Sequence, residues 1–226
     1  MDQVKSIAGK EIAGYSLEVL GGTETGGGVD AVLEGLLDVA VMCRMPKEEE
    51  LTQGLAYSKI GMSPIALFTH ADVGITSLAK GQIAQIFSGR VTNWSELGGP
   101  DVPIVVYVLD ENKPGTKLLR NAIFGDTPFA ETAQTFTSPG AILSSVEKTP
   151  GSIGYGSWSS ALAMKKTLQP IALEDVMPTD TAYSIKTPFG LGYLAERESE
   201  VQPLIDWLLS EHGQDLLQQY SVTSTK

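Results

Sequence analysis

An α/β fold is predicted by three observations. Residues 16–20 alternate polar and apolar as a half-buried strand does, a Gly/Thr loop follows, and Val29, Val32, Leu33 and Leu36 then form one apolar helical stripe. The apolar run 38–42 behind that stripe completes a strand–helix–strand order, which favours a parallel sheet. A second strand, Gly/Thr loop and helix arrangement lies at residues 102–124, where a β-branched run passes through a loop ending Pro114-Gly115-Thr116 into a second helical pattern.

The elements follow in sequence. Residues 2–14 read as a short helix closed by Gly14, and 57–61 leads into an apolar strand at 64–69. Residues 76–89 read as a helix with a hydroxyl N-cap, apolar Leu78, Ile83, Ile86 and Phe87, and a closing glycine. Residues 93–100 are a turn region, 149–156 a third glycine-rich turn, and 182–186 a returning strand. Val201, Leu204, Ile205, Leu208, Leu209, Leu216, Leu217 and Tyr220 mark an amphipathic C-terminal helix that breaks or bends near Gly213. A chain of 226 residues accommodates one large domain or two lobes of about 100 residues each.

Composition narrows the function. A net charge of −11 argues against nucleic-acid binding, which calls for a basic face. It leaves room for a small anion, because a local cluster of aimed donors overcomes a diffuse negative field. Cys43 is the one cysteine, so no intrachain disulfide forms, and its neighbours Val41 and Met42 favour a packed thiol over a nucleophile. His70 and His212 lack ligand-like spacing, so no metal site is expected. No segment approaches the roughly 20 apolar residues of a membrane span, and the opening residues do not read as a secretory signal.

The loops carry the chemistry. At a strand-to-helix junction, free N–H groups and the positive end of the helix dipole converge where an oxyanion can sit, and threonine hydroxyls add donors. Neither loop is a phosphate-binding P-loop, since no Gly-Lys-Ser/Thr follows the glycines, and neither carries the dinucleotide fingerprint. Glycine-rich turns that bind nothing are common, so a pair of such loops carries more weight than one.

The order of segments resembles the extracytoplasmic phosphate-binding proteins of ABC transporters, within the periplasmic-binding-protein-like class. The stretches that carry the resemblance are 23–29 with 38–44, 83–94, 149–155 and 204–214, the most specific being Ile86-Phe87-Ser88-Gly89 with Thr92-Asn93-Trp94. The resemblance implies a two-lobed fold, each lobe a central sheet flanked by helices, joined by hinge strands. Residues 1–67 plus 170–226 would form one lobe and 68–169 the other. It implies capture of phosphate or a related oxyanion between the lobes, delivery to a membrane permease, a periplasmic or extracytoplasmic location, a monomer, no cofactor and no enzymatic activity. By position Thr23, Thr25 and Gly26 match the first-lobe loop, and Gly115 and Thr116 match the end of the second. Family members usually carry an arginine and a serine where this chain has Asp110 and Pro114, so Lys113 and Arg44 become the candidate cations, with a surface ion pair as the other reading of Arg44. Glu24 is read either as the acid that accepts a proton from hydrogen phosphate or as a solvent-facing loop residue. The strand and Gly/Ser loop with which such proteins usually open is not found before Ser16.

Two other classes compete. A sensory or interaction module on the same scaffold, with a degenerate anion pocket, would explain Asp110 and Pro114. A phosphate-ester hydrolase would need a nucleophile and base or a metal cluster, and the sequence offers no such motif.

Overall fold

The computed structural model describes residues 2–20, 25–164 and 167–224. The chain divides into two compact units: unit 1 comprises 1–63 and 187–226, and unit 2 is the continuous segment 64–186. Residues 170–186, expected with the first lobe, fall in unit 2, because residues 169–173 pair there with the strand through 67–69.

Unit 1 contains α1 (Asp2–Glu11), α2 (Thr25–Leu33), β1 (Ala40–Met42), α3 (Glu48–Thr52) and the first part of β2 (Leu55–Thr69). Residues 16–20 form no strand: Leu17 packs partly against the core, while Val19 and Leu20 stay exposed. The alternation was real, but it found no hydrogen-bonded neighbour among the described residues. The helix expected at 29–37 starts four residues earlier and stops at Leu33. Gly35, at φ +72°, reverses the chain there, and the amides of Gly35 and Leu36 bond back to Val32 and Ala31 at 3.0 and 2.8 Å. The next residues on that side place Val29, Val32, Ala40, Met42 and Leu55 in one small buried cluster.

Unit 2 builds a mixed sheet from the remainder of β2 with β3 (Ser77–Leu78), β4 (Val105–Leu109), β5 (Gln134–Phe136), β6 (Ser152–Ser157) and β7 (Gln169–Leu173). Strand β2 runs antiparallel to both β6 and β7, whereas β4 is parallel to β5 and β6, and β3 is parallel to β7. The sheet is therefore mixed rather than parallel. Its helices are α4 (Lys80–Phe87), α5 (Pro114–Leu119), α6 (Pro139–Lys148) and α7 (Trp158–Ala163), with a π-helical turn at Arg120–Phe124 continuing α5. The predicted hydroxyl cap of the 76–89 helix is corrected. Ser77 lies in β3 and its hydroxyl accepts from Asp175 N–H, while Gln82 caps the Ala79 amide at 2.9 Å. The run expected to be a third glycine turn is mostly β6, a fully buried strand. Gly154 and Gly156 leave room there for Ile142, Val146 and Leu143 of α6, so the helix lies directly on the strand.

The chain re-enters unit 1 at the start of β8 (Lys186–Leu194), which is the returning strand, displaced toward the C-terminus from its expected position. Strand β8 lies between β1 and β2 and pairs antiparallel with β1, setting Ala40 opposite Gly192 and Met42 opposite Gly190. α8 (Glu198–Leu209) and α9 (Glu211–Gln218) follow, separated at Ser210, whose hydroxyl accepts the Gly213 amide at 3.2 Å. The break near Gly213 that the sequence predicts is thus a new N-cap three residues before it. Phe189, Leu191, Val201, Leu204, Ile205, Leu208, Leu216 and Leu217 close a core with Ala8 and Ile60. Among the described residues no helix is long and apolar enough to cross a membrane.

Candidate functional site

The first candidate loop lies in unit 1. Thr23 and Glu24 lie outside the described residues. Thr25 is the first described residue after the loop and opens α2, followed by Gly26 and Gly27 on the surface and by Gly28 and Val29 in the interior. The amides of the first turn of a helix have no intrahelical acceptors, and Gly26 lies in that turn of α2. The Thr25 hydroxyl oxygen accepts the Cys43 amide at 3.3 Å, tying the start of α2 to the end of β1. The Cys43 carbonyl in turn accepts the Thr187 hydroxyl from β8. Burial pushes the Cys43 thiol up from its ordinary value, in keeping with a packed thiol rather than a reactive thiolate.

Arg44, a candidate ligand cation, has its guanidinium engaged within unit 1. Both terminal nitrogens engage the Glu50 carboxylate, at 2.8 and 2.5 Å, and one of them also donates to the Met45 carbonyl at 3.0 Å. Glu50 additionally caps the Lys47 amide at 2.8 Å, closing the start of α3. The hydrogen bonds from Arg44 hold the Glu50 carboxyl below its usual range, more than offsetting its burial. Arg44 is thus in an ion pair, but with the buried Glu50 rather than a surface acid, and the pair fixes the segment after β1.

The second candidate loop lies in unit 2, where β4 ends at Leu109 and α5 begins at Pro114. Asp110 receives the Asn112 amide on its carboxylate at 2.9 Å, and its own amide donates to the Phe136 carbonyl at 3.0 Å. Lys113 is the N-cap residue, its amide donating to the Asp110 carbonyl at 3.0 Å. Pro114 occupies the first helical position, where its fixed φ suits the helix and its missing N–H was not needed inside it. Gly115 is half-buried and its amide, like that of Thr116, belongs to the unpaired first turn.

Thr116 is fully buried, and its hydroxyl is engaged within the protein. It donates to the Leu109 carbonyl at 3.3 Å and lies 2.8 Å from the Tyr155 hydroxyl, which itself accepts the Leu109 amide at 3.0 Å. A three-membered ring of hydrogen bonds thereby ties the last residue of β4 to the first turn of α5. Burial raises the Tyr155 phenol above its ordinary value, so it remains a neutral donor and acceptor.

Sequence reading missed Arg120. Its guanidinium grips Glu111 through Nε at 3.1 Å and a terminal nitrogen at 2.5 Å, donates to the carbonyls of Gly125 and Thr127, and sits 3.9 Å over the Phe129 ring. The spacing from Glu111 is nine residues, outside any helical pairing rule, so no local pattern reveals it.

The histidines belong to separate local contacts. His70 bonds Asp72 at 2.6 Å in unit 2, and His212 lies 3.4 Å from Glu11 in unit 1. Among the described residues no group of three or more His, Cys, Asp or Glu side chains is arranged to hold a metal ion.

Known proteins resemble this chain in sequence and in structure. The phosphate-binding protein PstS of Borreliella burgdorferi is 24% identical over 213 residues, covering 88% of this chain and 76% of that protein. A crystal structure from Clostridium perfringens, described as a phosphate ABC transporter substrate-binding protein with bound phosphate, is 27% identical. It superposes with a TM-score of 0.79 over 100% of this chain and 94% of that one. An ABC-type phosphate transport receptor from Vibrio cholerae shares the fold at 21% identity and a TM-score of 0.64, covering 99% of this chain and 94% of its own. A family model described as the PBP superfamily domain matches residues 1–212, and the chain belongs to that family.

Proposed function

We propose that this protein is an extracytoplasmic solute-binding protein that captures phosphate or a closely related oxyanion for an ABC transporter permease, acting as a monomer and without catalysis. The observation that carries the reading is the similarity, along the whole chain, to a structure described as holding phosphate. The chemistry of the two loops supports it. Each places first-turn amides beside a threonine at a helix N-terminus suited to an oxyanion, Gly26 with Thr25 at the start of α2 and Gly115 with Thr116 where β4 leads into α5. Thr23, from the same loop as Thr25, is proposed as a further donor. Lys113 at the N-cap of α5 supplies a nearby positive charge, whereas Arg44 acts through Glu50 by fixing the segment after β1.

A second reading is favoured by one observation. The second loop carries Asp110 and Glu111, two carboxylates beside the proposed anion, as a degenerate pocket on a sensory or interaction module would. Calorimetric titration of phosphate-stripped protein with phosphate, then sulfate, molybdate and tungstate, separates the two. A saturable phosphate isotherm is expected. No heat with any anion, together with no thermal shift, would overturn the transport reading in favour of the module.

A further inference from the structure

We propose that Arg120 is the positioning residue that makes the β4–α5 loop compatible with an anion, by neutralising Glu111 and holding it in place; the inference rests on the phosphate-binding reading above. The problem it solves is electrostatic. Asp110 and Glu111 sit side by side in the loop, and an anion at the amides of Gly115 and Thr116 would meet both fields.

The geometry around Arg120 is a cradle for one guanidinium. Nε and one terminal nitrogen take both oxygens of Glu111, the other terminal nitrogen takes the carbonyls of Gly125 and Thr127, and Phe129 covers one face at 3.9 Å. The side chain is 17% exposed, against 57% for Glu111, so the cation is fixed from the protein side and the carboxylate is drawn to it. A lysine could not reproduce this, because the planar fork makes the paired contact while the third nitrogen bonds the carbonyls. Arg120 also lies one helical turn beyond Thr116 in the same helical run, so its charge is rigidly placed relative to the first-turn amides. Glu111 and Arg120 act in opposite senses on the Tyr155 phenol, which bonds Thr116, so both charges reach the loop's anchoring ring. The other charges of this stretch are Asp110, Lys113 and Lys117.

The test is titration with inorganic phosphate of the wild type, Glu111→Gln, Arg120→Gln and the double variant, at low and high salt. Glu111→Gln leaves Arg120 uncompensated and should tighten phosphate binding on the order of fivefold at low salt, with a smaller gain at high salt. Arg120→Gln should weaken binding to a similar extent, and the double variant should return to within about twofold of wild type. A merely structural role predicts instead that Glu111→Gln weakens binding or leaves it unchanged, and that the double variant is no tighter than Arg120→Gln. Either result, with wild-type binding intact, overturns this inference alone. If Arg120→Gln fails to fold, Arg120→Lys takes its place: it keeps the charge but loses the paired contact with Glu111, so weaker phosphate binding is expected, and binding equal to wild type would overturn the inference. A wild type that binds no phosphate overturns the functional reading, and this inference with it.

Discussion

The Tyr155 hydroxyl lies 2.8 Å from Thr116 Oγ1, at the point where β4 hands the chain to α5. Through the Leu109 amide and carbonyl the same two hydroxyls hold the last residue of the strand. Tyr155→Phe removes the acceptor of a buried amide and should lower stability by about 1–3 kcal/mol. Urea unfolding measures the loss, and an unchanged midpoint would show that the ring of bonds is not what fixes the loop.

Thr116→Val has two expected effects because its hydroxyl is committed inside the protein. Stability should fall by about 1–2 kcal/mol, and phosphate affinity should fall with it as the first turn of α5 loosens. Calorimetry beside thermal unfolding separates the effects. Lost stability with undiminished affinity would remove this turn from the anion site.

Asp110→Asn keeps an acceptor for the Asn112 amide while removing a charge from the loop. Phosphate binding should tighten severalfold at low salt, with little change in melting temperature. Weaker binding would mean that the carboxylate itself serves the ligand, for instance by accepting a proton from hydrogen phosphate.

The Arg44–Glu50 pair sets a pH dependence. The hydrogen bonds from Arg44 lower the folded-state pKa of Glu50, against the opposing effect of its burial. Its stabilisation is therefore fully present above the unfolded carboxylate value, about 4.3, and disappears as pH falls through the lower folded-state value. Glu50→Gln should cost on the order of 3 kcal/mol at pH 7 by leaving Arg44 without its partner. The difference from wild type should shrink below about pH 4. Denaturation midpoints measured from pH 3 to 7 test the sign: a difference that grows toward acid would contradict it.

Gly213 marks the corner between α8 and α9. A Cβ there would come within 2.1 Å of the Trp207 carbonyl oxygen and 2.9 Å of Leu208 Cα, both backbone atoms. Gly213→Ala should destabilise unit 1 by at least about 2 kcal/mol, although alanine is the better helix former. A neutral substitution, read by thermal unfolding, would mean that the corner can open without loss.

Much of the architecture was legible from local pattern. The helix closing at Gly89, the β-branched run at β4 and the break in the C-terminal helix are all short-range signals, and each has its counterpart in the fold. What failed depended on distant partners. Residues 16–20 alternate correctly but gain no neighbouring strand among the described residues, while the glycines of β6 read as a turn because nothing local announces α6 lying against them. For the site, the two helix N-termini were readable from glycine, threonine and helical periodicity, but among the described residues only the second, after β4, follows a strand. The commitments of Arg44 to Glu50, Thr116 to Tyr155 and Arg120 to Glu111 were not, since each depends on how the side chains meet in three dimensions.

The continuity of unit 2 sets an order of events during synthesis. Its strands and helices all lie within residues 64–186, so its core can close once that segment has left the ribosome. Unit 1 must wait: Ala8, Ile12 and Ile60 find their buried partners only when Phe189, Leu191, Val201 and the residues through Val222 have emerged. Until then the N-terminal third of the chain carries unburied apolar surface, and it is the stretch a holding chaperone would be expected to protect.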